Sequence, residues 1–441
     1  MLERIFRIKE RGSDLKTEIL AGFTTFATMA YILFVNPELL SKGGMSFEGV
    51  VLATALSAMI ACVTMGIWAN LPFALAAGMG YNAFFAFTVC GVMGISWQTA
   101  LGAVLIDGVI FLIIALLPIR DSIFKGIPMT IKLAASVGIG IFIAFIGLEQ
   151  SKVIVSNPAV FVGLGNVTSP EVILTIAGII LIAVLAAKRI HGAFLMGIII
   201  ITITGMFFKS SGGNAITAMP KDIIALPSFK EFMAILMQID IKGALAWSMV
   251  PVIFTFTFMD IFDTIGSVAG LSSKLGIIDE KGTFPKAGKV LIIDAIGTIE
   301  GALCGTTTVT TYIESASGIS EGGKTGLTAV VVGILFLAGI FFIPFIKIVP
   351  PQATGAVLVI VGFLMMEPIL KINFTDVTEA LPAFLTIILM PLTYNISYGL
   401  IFGMISYTLL KVLTGRRKEV SVVMYIVTIV AAMYFVIGKG M

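Results

Sequence analysis

From Gly49 to Ile106 the chain contains no Asp, Glu, Lys, Arg or His, a run of 58 residues. A helical bilayer crossing takes about 20 apolar residues, so this run exceeds two crossings. It lacks the ten-residue alternation of an outer-membrane strand. Across the 441 residues, 58% are hydrophobic and 12% are charged, the latter roughly half of the ordinary soluble share of about 25%. A water-soluble fold cannot hide that much apolar side chain. Soluble enzymes, disordered chains and nucleic-acid binders are therefore excluded. The expectation is an all-α polytopic protein of the plasma (inner) membrane.

Apolar runs and breakers divide the chain into about fourteen segments. The first seven are 18–38, 47–69, 73–93, 98–118, 128–149, 170–187 and 192–208. The second seven are 246–271, 285–304, 306–320, 325–346, 351–370, 378–393 and 395–413. Residues 1–17 read as a cytosolic amphipathic N-terminus, 209–245 as a linker, and 415–441 as a tail whose apolar run 420–438 is either a further span or a surface helix. Met1 to Lys16 has five basic residues and no apolar h-region, so no cleavable signal peptide is expected. With the N-terminus inside, the connections assigned to the cytosol hold 19 Lys and Arg and the external ones hold 7. That asymmetry favours cytosolic termini.

Seven plus seven suggests duplication. Ile127-Pro128 opening segment 5 is echoed by Val349-Pro350-Pro351 opening segment 12. HGAFLMG from His191 is echoed by SYGLIFG from Ser397, and FTTFATMAYI from Phe23 by FTFTFMDIF from Phe254. An odd number of spans per half makes 18–208 and 246–414 oppositely oriented repeats. Inverted repeats carry their substrate near the midplane, between interrupted helices. Segment 3 is interrupted at Gly78 and Gly80. Segment 10 begins with the β-branched run Thr306–Thr311, which prefers an extended backbone, and turns helical near Tyr312. Each is expected to be a short extended piece followed by a half-helix.

An ionisable residue within a span is a functional candidate. Asp260 and Asp263 share one face of segment 8, and Glu314 sits at the break of segment 10. Asn82 follows the break of segment 3 as a ligand contact or a helix cap. Phe84, Phe85, Phe258 and Tyr312 can stack on a planar ligand, or simply pack. For Asp107, Asp294 and Glu300 the competing reading, a structural partner, carries more weight. His191, the single histidine, reads as an interfacial loop residue. Gly318–Thr325 spells GISEGGKT, a literal phosphate-loop pattern, but lacks the preceding strand and the nucleotide domain that such a loop needs. It reads as a cytosolic turn. Cys62, Cys90 and Cys304 form neither a disulfide framework nor a metal set. No metal and no cofactor are expected, and no HExxH or GxSxG motif supports an enzyme.

Five stretches resemble the AzgA-like purine permeases of the nucleobase–cation symporter superfamily. They are Glu18–Pro37, Ala76–Phe87, Asp260–Ser267 (DIFDTIGS), Thr306–Ile319 (TTTVTTYIESASGI) and Met390–Gly399. The likeness covers roughly 10–435. It implies fourteen helices in two inverted repeats, with segments 1–4 and 8–11 as a core domain and 5–7 and 12–14 as a gate domain. It further implies that Asn82, Asp260 and Glu314 match purine-binding positions and that Asp263 matches a carboxylate of proton coupling or architecture. The function implied is uptake of guanine and hypoxanthine by proton symport. Sodium is the alternative ion, and a homodimer is the assembly to test. An adenine permease of the same family is the nearest alternative, followed by an anion transporter or channel of the same fold.

Overall fold

The computed structural model describes residues 2–117, 126–220, 222–277 and 286–437. Arg120, Lys125, Lys221 and Lys281, used in the charge count, lie outside the described residues. Among these residues nine helices are long and apolar enough to cross a membrane: Leu15–Lys42, Phe47–Ala69, Trp97–Leu116, Met129–Gln150, Pro170–Ala187, Trp247–Leu275, Gly326–Ile348, Pro351–Lys371 and Ile396–Leu413. They are spans 1, 2, 4, 5, 6, 8, 11, 12 and 14. Spans 3, 7 and 13 are the shorter apolar helices Met79–Val92, Ala193–Phe207 and Val377–Leu392. Span 9 is Ala287–Cys304, and span 10 ends in the half-helix Ser315–Ser320. The all-α, fourteen-span reading therefore stands.

Short polar side chains mark the helix starts. Asp14, Ser46, Ser96, Ser169, Asp376 and Asn395 each accept a backbone N–H in the first turn, satisfying donors that a helix leaves open. Span 1 differs from its expected continuous form: it is two helices, Leu15–Met29 and Ile32–Lys42. The break turns Tyr31 into the protein interior. Large side chains such as Ile67, Ile180, Phe207 and Phe363 are exposed on the outside, as a lipid solvent requires.

Spans 5 and 12, equivalent by the repeat, pack with their glycines reciprocally opposed. A Cβ on Gly140 would lie 2.6 Å from the Gly362 carbonyl oxygen, and one on Gly147 would lie 2.6 Å from that of Gly355. Since 140 pairs with 362 and 147 with 355, the two helices run antiparallel. Small residues let membrane helices approach this closely. Spans 12, 13 and 14 each pack on span 5, spans 13 and 14 on each other, and spans 6 and 7 on span 12. Spans 1, 2, 4, 8, 9 and 11 form a second group. The helix Val422–Ile437 folds back along span 14, where the Thr408 and Thr428 hydroxyls meet at 2.7 Å.

Contacts between connections follow the alternation of the spans. On one side Ser46 donates to Glu231 at 2.7 Å and Thr99 to Asp240 at 2.9 Å. On the other, Lys286 Nζ donates to the Ala69 carbonyl at 2.6 Å and His191 lies 3.5 Å from Glu321. GISEGGKT lies on this second side; Gly318–Ser320 end the span 10 half-helix and only the residues from Glu321 form the expected turn. Its Lys324 and Thr325 N–H groups donate to the buried Glu18 carboxylate, so the anion that it cradles is a side chain of this protein.

Buried Lys411 donates to Glu379 at 2.7 Å and Glu419 at 2.8 Å, while Arg416 donates to Asp376 at 2.5 Å and Glu419 at 2.7 Å. The Arg416 guanidinium holds the Asp376 and Glu419 carboxyls down to about 2, from ordinary values of 3.8 and 4.5. A carboxyl lowered by folding stabilises the fold above its unfolded value, and that contribution is lost as pH falls through its folded value. Arg416→Met should therefore lower the melting temperature at pH 7, and the deficit should shrink as pH falls from about 4.5 towards 2. Thermal melts of the two proteins across that range check this. The groups are partly exposed, so the effect is small.

Candidate functional site

The two interrupted spans meet in the middle of the second helix group. In span 3 the chain is extended at Leu75–Ala77 (β1) before turning helical at Met79. A surface hairpin, Ile154–Asn157 (β2) with Phe161–Leu164 (β3), follows span 5. In span 10 the chain is extended at Val309–Thr311 (β4) before the helix at Ser315. β1 and β4 pair antiparallel, with Leu75 opposite Thr311 and Ala77 opposite Val309. Pairing satisfies backbone that would otherwise lie open at this depth. Further bonds lock the crossing: Tyr312 N–H to the Ala74 carbonyl, Gly78 N–H to that of Thr308, and Ala74 N–H to Ser315 Oγ, each 2.9 Å.

Glu314 immediately precedes the span 10 half-helix and is half-buried. Its Oε1 accepts the Tyr31 hydroxyl at 2.9 Å. Tyr312 is buried, and its hydroxyl donates to the Ala77 carbonyl at 2.5 Å. Asn82 is fully buried; its Oδ1 accepts the Thr307 hydroxyl, and its Nδ2 has no partner. The crossing thus offers an acceptor at Glu314 and an unused donor at Asn82.

The two aspartates of span 8 differ in surroundings. Asp260 is 0% exposed, and its Oδ2 accepts the Thr298 hydroxyl of span 9 at 2.7 Å. Asp263 is exposed, and Tyr81 donates to its Oδ2 at 3.4 Å. Gly266, Ala269, Gly270 and Ser273, further along span 8, are also exposed. Such small residues do not make a lipid-facing surface. They leave an open strip along span 8, with nothing within 4 Å of a Cβ placed on Gly266, which we read as a crevice; Lys132 of span 5 lies nearby, 5.0 Å from the centre of the Phe262 ring. Glu314 and Asp263 lie within electrostatic reach of each other here.

Phe258 is buried in a ladder with Phe254 and Phe262, ring centres 6.1 and 4.6 Å away. At about 100° per residue, Phe258 and Asp260 are about 160° apart around the helix, so one small ligand does not touch both. Phe84 packs edge-on against Phe256 at 5.1 Å, and both are fully buried. Asp294 has a full set of partners: the Thr264 and Thr311 hydroxyls at 2.7 Å, the Thr311 N–H at 3.2 Å and the Thr310 hydroxyl at 3.3 Å. It ties β4 to span 8. Glu300 is half-buried and accepts the Cys304 thiol at 3.7 Å.

Tyr31, Tyr81, Thr298 and Thr307 were not singled out by sequence. Tyr31 lies in the FTTFATMAYI echo and Tyr81 directly after the Gly-Met-Gly break. Position in a break was the one available signal, because their partners are more than 180 residues away, except for Thr298. No group of three or more His, Cys, Asp or Glu able to hold a metal occurs among the described residues.

Residues 16–402 match the model of a permease family, Xan_ur_permease. The permease-type protein MJ0326 of Methanocaldococcus jannaschii is 47% identical over 439 residues, 100% of this chain and 99% of that one. The adenine permease AdeQ of Escherichia coli is 41% identical over 433 residues, 98% and 95% of the two chains. The guanine/hypoxanthine permease PbuG of Bacillus subtilis is 39% identical over 448 residues, 99% and 100%. Among solved structures, the transmembrane domain of the cyanobacterial bicarbonate transporter BicA superposes with a TM-score of 0.64, covering 88% of this chain and 97% of that one. At 15% identity the likeness is one of fold.

Proposed function

The chain belongs to the permease family of the nucleobase–cation symporter superfamily, and on that premise we propose that it imports guanine and hypoxanthine by proton symport with alternating access. It is a multi-pass membrane permease and not an enzyme. The observation that carries the substrate reading is the half-buried Glu314 carboxylate at the start of the span 10 half-helix, held by the Tyr31 hydroxyl. A 6-oxopurine presents N1–H, a donor that such a carboxylate accepts. Tyr312 packs against the crossing and shapes the slot for the planar ring. Phe258 acts through the aromatic ladder behind it.

Asp260, matched by resemblance to a purine contact, is sealed from the crevice, whereas Asp263 opens onto it. These exposures favour exchanging the two roles: Asp263 beside the base, Asp260 in proton coupling. Acids at Asp263 and Glu314 disfavour the rival reading, an anion carrier. Spans 1–4 and 8–11 would form the core and spans 5–7 and 12–14 the gate, rocking about the crevice beside span 8.

Uptake of labelled hypoxanthine into cells expressing the protein, with and without a protonophore, tests this reading. Accumulation abolished by the protonophore is expected; accumulation indifferent to it removes proton coupling.

Orientation is testable separately. Single cysteines at Ser13 and Ser273 should stay unlabelled by an impermeant reagent in intact cells of the inner-membrane type, and one at Ser228 should react. External labelling at position 273 would invert the assignment.

A further inference from the structure

We propose that Glu18, near the start of span 1, is a positioning residue for Glu314: the first helix of span 1 clamps the span 10 half-helix from end to end, and the Glu18 carboxylate anchors its far end. The inference rests on the purine-binding reading of Glu314 above and gives a role to GISEGGKT, which that reading leaves unused.

The half-helix Ser315–Ser320 has six residues. A helix this short does not hold itself together in isolation. The position of Glu314, the residue before it, is therefore set by what packs alongside. Span 1 packs alongside, and its contacts run along span 10 in reverse order. Tyr31 donates to Glu314 Oε1 at 2.9 Å. Three residues back, the Thr28 and Ser317 hydroxyls meet at 3.0 Å, and Ser317 Oγ donates to the Glu314 carbonyl at 2.7 Å. Further back, a Cβ on Gly318 would overlap the Thr25 hydroxyl and lie 2.6 Å from the Ala21 carbonyl oxygen. Near the start, the buried Glu18 carboxylate takes three donors. Oε1 accepts the Lys324 N–H at 2.9 Å, and Oε2 accepts the Thr325 N–H at 3.3 Å and the Thr328 hydroxyl at 2.6 Å. Residues 18, 21, 25 and 28 fall within about 80° of one another around a helix, so one face of span 1 makes these contacts.

The glycines of GISEGGKT serve that approach. Gly318 admits Thr25. Gly322 turns the chain with a φ of +99°, and a Cβ on Gly323 would lie 2.8 Å from that of Ala21. The N–H groups that follow then converge on one carboxylate, and charge-assisted bonds of this kind are the strong ones. The chain from Glu314 to Lys324 is thus held at both ends, by Tyr31 at the near end and by Glu18 at the far end. Loosening the far end lets the half-helix slide along span 1 and carry Glu314 with it. A binding group must be held to about 0.5 Å, less than the rise of about 1.5 Å for a single helical residue.

The test is a double-mutant cycle, read by titration calorimetry with guanine on purified full-length protein. Glu18→Gln turns one acceptor oxygen into a donor among three donors. It should weaken guanine binding about tenfold at unchanged stoichiometry. On the Glu314→Gln background the same change should cost about twofold or less, because the group that it positions is already gone. Unchanged affinity in Glu18→Gln would overturn the proposal, as would an equal loss in both backgrounds. Should Glu18→Gln fail to fold, Thr28→Val carries the same cycle. It should bind about threefold more weakly, lose nothing further on Glu314→Gln, and recover in Thr28→Ser; wild-type affinity in Thr28→Val then overturns the proposal. A wild type that binds no purine defeats the substrate reading, and amide hydrogen exchange without ligand then decides the clamp. Ser315–Ser320 should exchange about tenfold faster in the folded variant than in the wild type, and equal rates would overturn it.

Discussion

Glu314→Gln is expected to weaken guanine binding about thirtyfold. The side chain keeps its shape, but one acceptor oxygen becomes an N–H₂ donor. In the wild type Tyr31 donates to Oε1 at 2.9 Å, which orients the carboxyl and leaves Oε2 to meet a ring N–H. Loss of a charge-assisted hydrogen bond costs about 2 kcal/mol, and each 1.4 kcal/mol is a factor of ten in affinity. The half-helix after Glu314 has only six residues, so the Tyr31 bond, more than a helix dipole, maintains the acceptor. Tyr31→Phe should consequently weaken binding too, by less, because it frees the carboxyl without removing it. Titration calorimetry on purified protein measures both. Unchanged affinity in Glu314→Gln would take Glu314 out of the site.

Guanine and hypoxanthine should outcompete adenine and xanthine by about tenfold or more. Adenine presents a lone pair at N1 and a donor at its 6-amino group, the reverse of the 6-oxopurine edge. Its N1 lone pair would face the Glu314 carboxylate. Xanthine keeps N1–H and O6 but carries a 2-carbonyl oxygen where guanine has an amino donor, and this oxygen would turn towards the carboxylate. An unpaired or repelled buried polar group costs about 1–3 kcal/mol, and sites built on hydrogen bonds reject the wrong pattern for that reason. Competition of unlabelled bases against labelled hypoxanthine uptake gives the order directly. Adenine competing as well as guanine at neutral pH would reverse the assignment and place the protein with relatives such as AdeQ, whose identity to this chain, 41%, is close to the 39% of PbuG.

Membrane class, span number and the two breaks were legible in the sequence because each rests on local or summed properties. A charge-free run must lie in lipid, Gly78 stands at the break before the helix that begins at Met79, with Gly80 inside that helix, and Thr306–Thr311 favours an extended strand. The antiparallel repeat was legible in an odd span count, and the reciprocal glycines at 140 and 362 and at 147 and 355 give it a contact surface. The fate of each carboxylate was not legible. Asp260 and Asp263 sit three residues apart on one helix, yet one is sealed and the other open. That outcome depends on which spans pack against which side of span 8. Asp294 and Asp107 look alike in sequence as lone acids in apolar runs. Thr264, Thr310 and Thr311 give the first its partners, whereas the second has none. Hydrophobic period and chain breakers act within a turn or two of the backbone, so the sequence by itself determined what crosses the bilayer and where the crossings fail. Hydrogen bonds such as Tyr31 to Glu314 join residues 283 apart, and only the packing of one repeat against the other decided which acids are exposed and which are buried with or without a partner.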